Sequence, residues 1–251
     1  MKARLDVLLA ERGLAESRTQ AQALILAGKV RVAGQVECKA SQKVDGEAEL
    51  TVEAPARFVS RGGEKLEGAF SYWPDVLNAK GRICLDVGSS TGGFTDCLLQ
   101  HGAQQVMAVD VGTNQLAWKL RNDPRVWVRE NYNARYMKIE DLPHRPSLAV
   151  TDVSFISLKL ILPPIKDVLE PGGLAVALIK PQFEVGKGNA PGGLVRDESL
   201  RLAARDEIVR FATAGLGLEP LGVEVSPILG REKGNVEYLS LWRKPALQTG
   251  E

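Results

Sequence analysis

The sequence predicts an α/β protein, in which a doubly wound, mostly parallel sheet of seven strands follows a small α+β domain. Three observations support this fold class. From residue 64 onward, short apolar runs alternate with segments of helical periodicity, the pattern of strand–helix–strand units. The first 55 residues instead contain two short helical segments followed by strand-like runs. A glycine-rich stretch, DVGSSTGGFT, joins an apolar run to a helical segment.

Composition limits the function classes. Of the 251 residues, 44% are hydrophobic and 25% charged, as in proteins that fold around a core in water. No apolar run reaches the roughly 18 residues of a membrane span, and the charged N-terminus does not resemble a signal peptide. We therefore expect a cytoplasmic protein with no membrane partner. The three cysteines, Cys38, Cys84 and Cys97, have no C-x-x-C spacing, so we expect reduced thiols and no metal site.

The N-terminal segment reads as two helices and a small sheet. Leu5, Leu8 and Leu9 have helical spacing, and a second helix is expected to begin after Ser17, a residue that caps helices. Alternation around Ala33-Gly34 predicts a hairpin, and AELTVEAP predicts one more strand. Residues 1–44 hold eight basic and four acidic residues. This excess of positive charge fits either a nucleic-acid partner or a solvated mixed surface.

A resemblance favours the first of these interpretations. Residues 3–52 resemble the small RNA-binding module named after the fourth small-subunit ribosomal protein, through Arg4-Leu5-Asp6, Ser17-Arg18, Ile25…Gly28 and Val30-Arg31-Val32-x-Gly34. The resemblance implies RNA contacts from Arg4, Arg18, Lys29 and Arg31. Such side chains bind phosphates, which positions RNA without reading its sequence. We assign residues 1–55 to an RNA-binding domain, 56–63 to a linker and 64–251 to the large domain.

The large domain alternates strands and helices. Strands are expected near residues 82–87, 105–110, 125–129, 147–152, 173–180, 219–225 and 235–242. Helices are expected near residues 63–78, 92–101, 113–121, 155–169 and 198–214. The segment between the last two strands is too short for a helical crossover, so these strands should be antiparallel neighbours.

The glycine-rich stretch lies at the carboxyl end of the first strand, where such sheets bind ligands. Its spacing departs from both G-x-G-x-x-G and the phosphate-binding lysine loop. Asp110 ends the next strand and suits the hydroxyls of a ribose, in NAD or in S-adenosylmethionine. Asp86, directly before the loop, would repel a pyrophosphate and attract an ammonium group, which favours S-adenosylmethionine. The alternative is a glycine turn without a ligand.

The stretch DVGSSTGGFTD is similar to the cofactor loop of S-adenosylmethionine-dependent methyltransferases, especially the FtsJ-like 2′-O-methyltransferases with their Rossmann-like sheet. The resemblance implies S-adenosyl-L-methionine as cofactor. The implied binding residues are Asp86, Gly88, Ser89, Ser90, Gly92, Gly93, Phe94, Asp110, Val111, Glu130, Asn131 and Asp152.

FtsJ-like enzymes also carry a Lys-Asp-Lys-Glu tetrad, matched here by Lys65, Asp152, Lys180 and Glu237. Independently of the family, SLAVTD and LAVALIK are apolar runs that end in a charge, and such a charge is either solvated or held in a site. Lys180 is expected to accept the proton of the ribose 2′-hydroxyl, or to remain charged and orient that hydroxyl. Asp152 and Glu237 are expected to orient the lysines.

The stretch PQFEVGKGNAPGG follows Lys180 and reads either as a lid over RNA or as a plain loop. In a lid, Phe183 would stack on a base of the RNA and Lys187 would contact a phosphate. Lys233, from a later segment, is a further expected RNA contact. Ser154 and Phe155 are expected to line the same cleft.

Across nearly the whole chain, the combination of modules resembles the TlyA family. That resemblance implies methylation of cytidine ribose 2′-hydroxyls in large-subunit, and in some members small-subunit, ribosomal RNA. Ribosomal RNA within subunits would be the partner, while the oligomeric state remains open. Two alternatives are a haemolysin or pore-forming protein, a label that relatives carry, and an inactive RNA-binding assembly factor.

Overall fold

The computed structural model describes residues 2–53, 56–186, 188–230 and 234–246. The chain forms two compact units, Met1–Ala56 and Arg57–Glu251. The second unit thus begins inside the segment assigned to a linker, since Phe58 is 4% exposed and belongs to the core of this unit. Lys187 and Lys233, two expected RNA contacts, lie outside the described residues.

The first unit contains the expected helices and hairpin. Its elements are β1 (Lys2–Arg4), α1 (Leu5–Glu11), α2 (Arg18–Leu26), β2 (Val30–Val32), β3 (Gln35–Val36), β4 (Lys43–Asp45) and β5 (Leu50–Val52). Ser17 caps α2 by accepting a hydrogen bond from the Gln20 amide, and β2 pairs antiparallel with both β3 and β5. The β1–β4 pair was not predicted, because both strands are short and carry charged residues.

The core of the first unit forms between the helices and the sheet. Leu5, Leu9, Ala21, Ile25 and Val30 are fully buried, and they come from both helices and the central strand β2. The apolar spacing seen in the sequence therefore marks the faces that pack together.

The second unit is built on one seven-stranded sheet. Its strands are β6 (Ile83–Val87), β7 (Gln105–Val109), β8 (Val126–Arg129), β9 (Leu148–Thr151), β10 (Leu174–Ile179), β11 (Glu219–Val225) and β12 (Tyr238–Arg243). Their order is β11-β12-β10-β9-β6-β7-β8. The first five strands run parallel, whereas β12 is antiparallel to both β10 and β11. The predicted mostly parallel sheet with an antiparallel final pair is confirmed.

Helices cover both faces of this sheet. They are α3 (Gly62–Tyr72), α4 (Gly93–Gln100), α5 (Trp118–Arg121), α6 (Leu162–Val168), α7 (Pro181–Glu184) and α8 (Glu198–Arg210). Alternate strand residues pack on opposite sides: Cys84 joins the cluster of α3 and α4, and Leu85 joins the cluster of α6. Burial on both faces explains why these strands read as continuous apolar runs.

Three helices are shorter than the sequence predicted. The helix expected over 113–121 is confined to α5, because Glu130 accepts hydrogen bonds from the backbone amides of Asn114 and Gln115. The helix expected over 155–169 begins only at Leu162, after Phe155 takes a positive φ of 62°. The helix expected over 63–78 ends at Tyr72, ahead of Pro74, since proline disfavours helix in the residue before it.

Candidate active site

The sheet brings the expected site residues to one edge. Asp86 is the fourth residue of β6, and Asp110, Asp152 and Lys180 directly follow β7, β9 and β10. Because these strands are parallel neighbours, their carboxyl ends lie along the same edge. Central β6 is the point where the strand order reverses, which is where such sheets bind ligands.

The four residues of the expected tetrad form one connected group. Lys65 on α3 donates a hydrogen bond to Glu237 Oε2 at 2.6 Å, and its Nζ lies 3.6 Å from Asp152 Oδ2. The other oxygen of Asp152 lies 2.5 Å from Lys180 Nζ. Glu237 immediately precedes β12, whereas the sequence placed it inside the last strand. Two lysines and two carboxylates thus alternate along a line and balance one another's charge.

Two more side chains extend this group. Lys180 Nζ donates a hydrogen bond to Ser154 Oγ at 2.8 Å, so Ser154 lies where the sequence suggested. Gln182 Nε2 lies 3.4 Å from Glu237 Oε1 and donates to it. Sequence reasoning missed Gln182, because nothing local indicates that a glutamine on α7 reaches a residue 55 positions later.

The glycine-rich loop has the backbone shape that its sequence suggested. Gly88 and Gly92 have φ of 80° and 97°. Residues that carry a side chain rarely adopt such positive φ angles. A Cβ at Gly88 would lie 2.9 Å from the Val153 side chain, and one at Gly92 would lie 2.3 Å from the Leu120 side chain. The loop therefore packs closely on its neighbours and leads directly into the N-terminus of α4.

Asp86 is the most unusual carboxylate of this loop. Its side chain is fully buried, and Thr95 donates a hydrogen bond to Oδ2 at 2.6 Å. Within the described part of the chain, Oδ1 has no hydrogen-bond partner. Burial raises the pKa of Asp86 to about 7, against the hydrogen bond from Thr95 and with support from the charge of Asp152. A buried acceptor without a partner suits a cationic group of a ligand.

Asp110 and Glu130 already have backbone partners. Asp110 accepts hydrogen bonds from the amides of Ser90 and Gly112, both at 2.7 Å. Because a carboxylate has about four acceptor positions, it can still receive ribose hydroxyls. Glu130 bonds the 114–115 amides and pairs with Arg121 at 2.6 Å. The hydrogen bond from the Asn114 amide is the main cause that lowers the pKa of Glu130. By accepting from these two amides, the carboxylate supports the loop that follows β7.

The other expected cofactor residues differ in exposure. The Phe94 side chain, whose contact with a cofactor stays a prediction, is 4% exposed and packs in the core. It points inward because α4 packs on the sheet. Val111 is 74% exposed, whereas Ser89 is buried. Asn131 accepts a hydrogen bond from Thr113.

Two aromatic side chains lie beside the tetrad. The rings of Phe155 and Phe183 are 5.2 Å apart between centroids and inclined by 49°. Lys180 Nζ lies 6.0 Å from the centre of the Phe183 ring. The Phe155 side chain is 82% exposed, which is unusual for a large apolar residue and typical of a binding surface.

In the first unit, two of the expected RNA contacts share one carboxylate. Asp6 is fully buried and accepts two hydrogen bonds from Arg4 at 3.0 Å and one from Arg18 at 2.9 Å. Gln22 donates a further bond at 2.7 Å. The hydrogen bonds from Arg4 hold the pKa of Asp6 well below its ordinary value. Sequence reasoning assigned no role to Asp6. Of the other two expected contacts, Arg31 is exposed and Lys29 is half-buried.

The arrangement has the parts of a group-transfer site. A polar tetrad with a largely buried amine lies along the sheet edge that also carries the glycine-rich loop and Asp86, whose Oδ1 has no hydrogen-bond partner among the described residues. None of the helices in the described ranges is long and apolar enough to cross a membrane.

Comparison with family models assigns both units. Residues 58–244 match the FtsJ-like methyltransferase model, and residues 3–50 match the S4 domain model.

Individual relatives span almost the whole chain. A 16S/23S rRNA (cytidine-2′-O)-methyltransferase TlyA of Mycobacterium tuberculosis is 48% identical over 244 residues, covering 96% of this chain and 89% of the relative. Hemolysin A of Brachyspira hyodysenteriae is 44% identical over 242 residues, covering 94% and 98%. A solved structure from Streptococcus thermophilus that carries a hemolysin name aligns with a TM-score of 0.74 at 44% identity, covering 99% of this chain and 91% of that one.

Both domain models match in the expected order, and the relatives resemble the chain across nearly its full length. The chain therefore belongs to the TlyA/hemolysin A family, in which an S4 domain precedes an FtsJ-like methyltransferase domain.

Proposed function

We propose that this enzyme transfers a methyl group from S-adenosyl-L-methionine to the ribose 2′-hydroxyl of a cytidine in 23S ribosomal RNA, with 16S ribosomal RNA as a further candidate. The observation that carries the proposal is the line of contacts Glu237–Lys65–Asp152–Lys180 at the sheet edge of the glycine-rich loop. The name of the M. tuberculosis relative supports the choice of cytidine and ribosomal RNA.

The donor would be held by the loop and the two strand-end carboxylates. S-Adenosylmethionine, when bound, supplies a methyl group on a sulfonium, whose sulfur leaves readily as a neutral thioether. Asp86 Oδ1, which no group in the described ranges bonds, suits its ammonium group, and Asp110 suits its ribose hydroxyls. The remaining proposed contacts come from Gly88, Ser89, Ser90, Gly92, Gly93, Phe94, Val111, Glu130, Asn131 and Asp152.

Lys180 is the residue best suited to act on the acceptor hydroxyl. Its side chain is 9% exposed and is held by Asp152 and Ser154, so its position is fixed before RNA arrives. A neutral amine there would take the hydroxyl proton, while an ammonium would orient the oxygen lone pair. Lys65, which is itself bonded to Glu237, pairs with the other oxygen of Asp152. The four groups therefore act as one unit.

RNA would contact two regions of the chain. In the S4 domain, we propose phosphate contacts from Arg4, Arg18, Lys29 and Arg31. In the methyltransferase domain, the exposed Phe155 and its neighbour Phe183 offer surfaces on which bases can stack. Ribosomal RNA inside a subunit is the proposed physiological substrate, which implies a cytoplasmic enzyme.

Methyl transfer to defined ribosomal particles tests this function. Ribosomal subunits from cells that lack this gene would be incubated with the full chain and methyl-labelled S-adenosylmethionine. Nuclease digestion and mass spectrometry should then find 2′-O-methylcytidine in the RNA of the large subunit. Methylation on a base, or an unmodified RNA in all particles and in free ribosomal RNA, would contradict the proposal.

A further inference from the structure

Glu184 links the two loops that carry the tetrad. It is the last residue of α7, the helical turn that begins directly after Lys180. Its Oε2 accepts a hydrogen bond from Ser157 Oγ at 2.5 Å, and its Oε1 accepts one from the Leu158 amide at 2.9 Å. Both partners belong to the segment that follows β9, so one carboxylate joins the chain after β10 to the chain after β9.

The same two loops form the central contact of the tetrad. Lys180, after β10, reaches Asp152 and Ser154, after β9, at 2.5 and 2.8 Å. The Glu184 bonds lie a few residues beyond these contacts on both loops. They therefore restrict how far the two loops can separate and how Lys180 can move relative to Asp152.

The segment after β9 needs such a restraint. Phe155 has a φ of 62°, a conformation that bulky residues rarely adopt and that persists only where the surroundings enforce it. β9 fixes the start of this segment, and Glu184 fixes its end by holding Ser157 and Leu158. Ser157 also accepts a hydrogen bond from the Lys159 amide, which begins the short 3-10 turn Leu158–Leu160.

We propose that Glu184 is a positioning residue of the methyl transfer: its carboxylate latches the segment after β9 to α7 and so holds Asp152 and Ser154 against Lys180. The inference rests on the proposed function, because Lys180 is its acting residue. Glu184 acts through its neighbours and does not touch the reacting atoms.

Kinetics of three variants test the latch. Glu184→Ala should lower kcat about 10–100-fold, since a small misplacement of reacting groups has effects of that size, while the Kd for S-adenosylmethionine changes much less, because Asp152 is one of many proposed donor contacts. Glu184→Gln should restore most of kcat, because its amide can still accept from Leu158 and can donate to Ser157 Oγ. Glu207→Ala is the matched control, since this exposed glutamate pairs with nearby Lys159; its kcat should equal that of the wild type.

Wild-type kcat in Glu184→Ala would overturn the inference, and so would a loss that glutamine does not restore. If the alanine variant does not fold, Ser157→Ala replaces it: it should lower kcat by a smaller factor, and an unchanged kcat would overturn the latch.

Hydrogen exchange separates the latch from the proposed function. Amides of residues 153–158 should exchange faster in Glu184→Ala, or in Ser157→Ala, than in the wild type, whether or not the protein methylates RNA. Unchanged exchange would overturn the latch alone. A wild-type protein that methylates no RNA would instead refute the proposed function.

Discussion

Lys65 Nζ donates a hydrogen bond of 2.6 Å to Glu237 Oε2 across 172 residues of sequence. The two side chains are only 9% and 3% exposed, and buried charges persist when each has partners. Asp152 provides the second partner of Lys65, and Gln182 that of Glu237. Because the group is balanced, removal of one member leaves an uncompensated charge, and each variant must be checked for folding as well as for activity.

Lys180 should be the most sensitive position for the chemical step. Lys180→Ala is expected to lower kcat by about 10²–10⁴, the usual contribution of a positioned acid or base, with an unchanged Kd for S-adenosylmethionine by calorimetry. Lys159→Ala removes a nearby exposed lysine and should retain wild-type kcat. An alanine variant at position 180 with wild-type kcat would contradict the assigned role.

Lys180→Arg distinguishes the two roles left open for this residue. Arginine keeps the positive charge but does not give up its proton near neutral pH. If Lys180 accepts the proton, the arginine variant should be as slow as the alanine variant. If Lys180 only orients the hydroxyl, arginine should retain a measurable part of kcat.

Asp86 should govern binding of the donor. Asp86→Asn removes the charge that would face the ammonium group, and the Kd for S-adenosylmethionine should rise at least about tenfold, since charged hydrogen-bond partners contribute about 1.5–3 kcal/mol. Asp75→Asn, at a surface carboxylate, is the control, and its Kd should not change. Equal affinity of the Asp86 variant and the wild type in calorimetry would remove this residue from the site.

The same substitution should stabilise the ligand-free protein at alkaline pH. The pKa of Asp86 is about 7 in the fold and 3.8 as its ordinary value, so the folded state holds a proton that the unfolded chain loses. Stability therefore falls as pH rises from about 4 to 7, by up to about 4 kcal/mol from this residue. In urea denaturation, the free energy of unfolding of Asp86→Asn should exceed that of the wild type, and this difference should be larger at pH 8 than at pH 5. A gain that does not depend on pH would contradict the assigned ionisation.

Lys29 and Arg31 should contribute to RNA affinity through charge. Replacing both by alanine should weaken binding to ribosomal RNA and make the slope of log K against log salt shallower by ~1.5, as expected for two lost phosphate contacts. Replacing Lys39 and Lys43 together removes the same charge, and this control should change the slope of log K against log salt less. Filter binding at several salt concentrations measures both. Equal slopes for the two double variants would indicate a diffuse basic surface.

Asp6 should stabilise the S4 domain and its arginines together. Asp6→Asn should cost about 2 kcal/mol of local stability, because Arg4 and Arg18 lose a charged hydrogen-bond partner. Since the pKa of Asp6 is lowered in the fold, this contribution is present at neutral pH and is lost as pH falls below about 4. Hydrogen exchange of the α1 and α2 amides measures it, with Asp45→Asn as an exposed control. Unchanged protection at pH 7 would contradict the role of Asp6.

Much of the fold could be predicted from the sequence because its signals are local. Apolar runs mark the buried strands, Ser17 marks the start of α2, and Gly88 and Gly92 mark positive-φ positions of the loop after β6, which residues with a side chain rarely occupy. Strand–helix alternation then leaves few topologies, since connections between parallel strands are right-handed and short. The predicted antiparallel final pair followed from the length of one connection.

What the sequence by itself determined is the fold class, the family and the residue types available for chemistry. The tertiary structure alone decided which of these residues touch: that Asp152 stands between Lys65 and Lys180, that Phe94 packs inward, that Glu130 holds backbone amides, and that Asp6 and Glu184 support their neighbours. The reason is physical. A local pattern fixes the backbone of a segment and its buried face, whereas a contact between side chains far apart in sequence depends on the packing of the whole sheet and its helices.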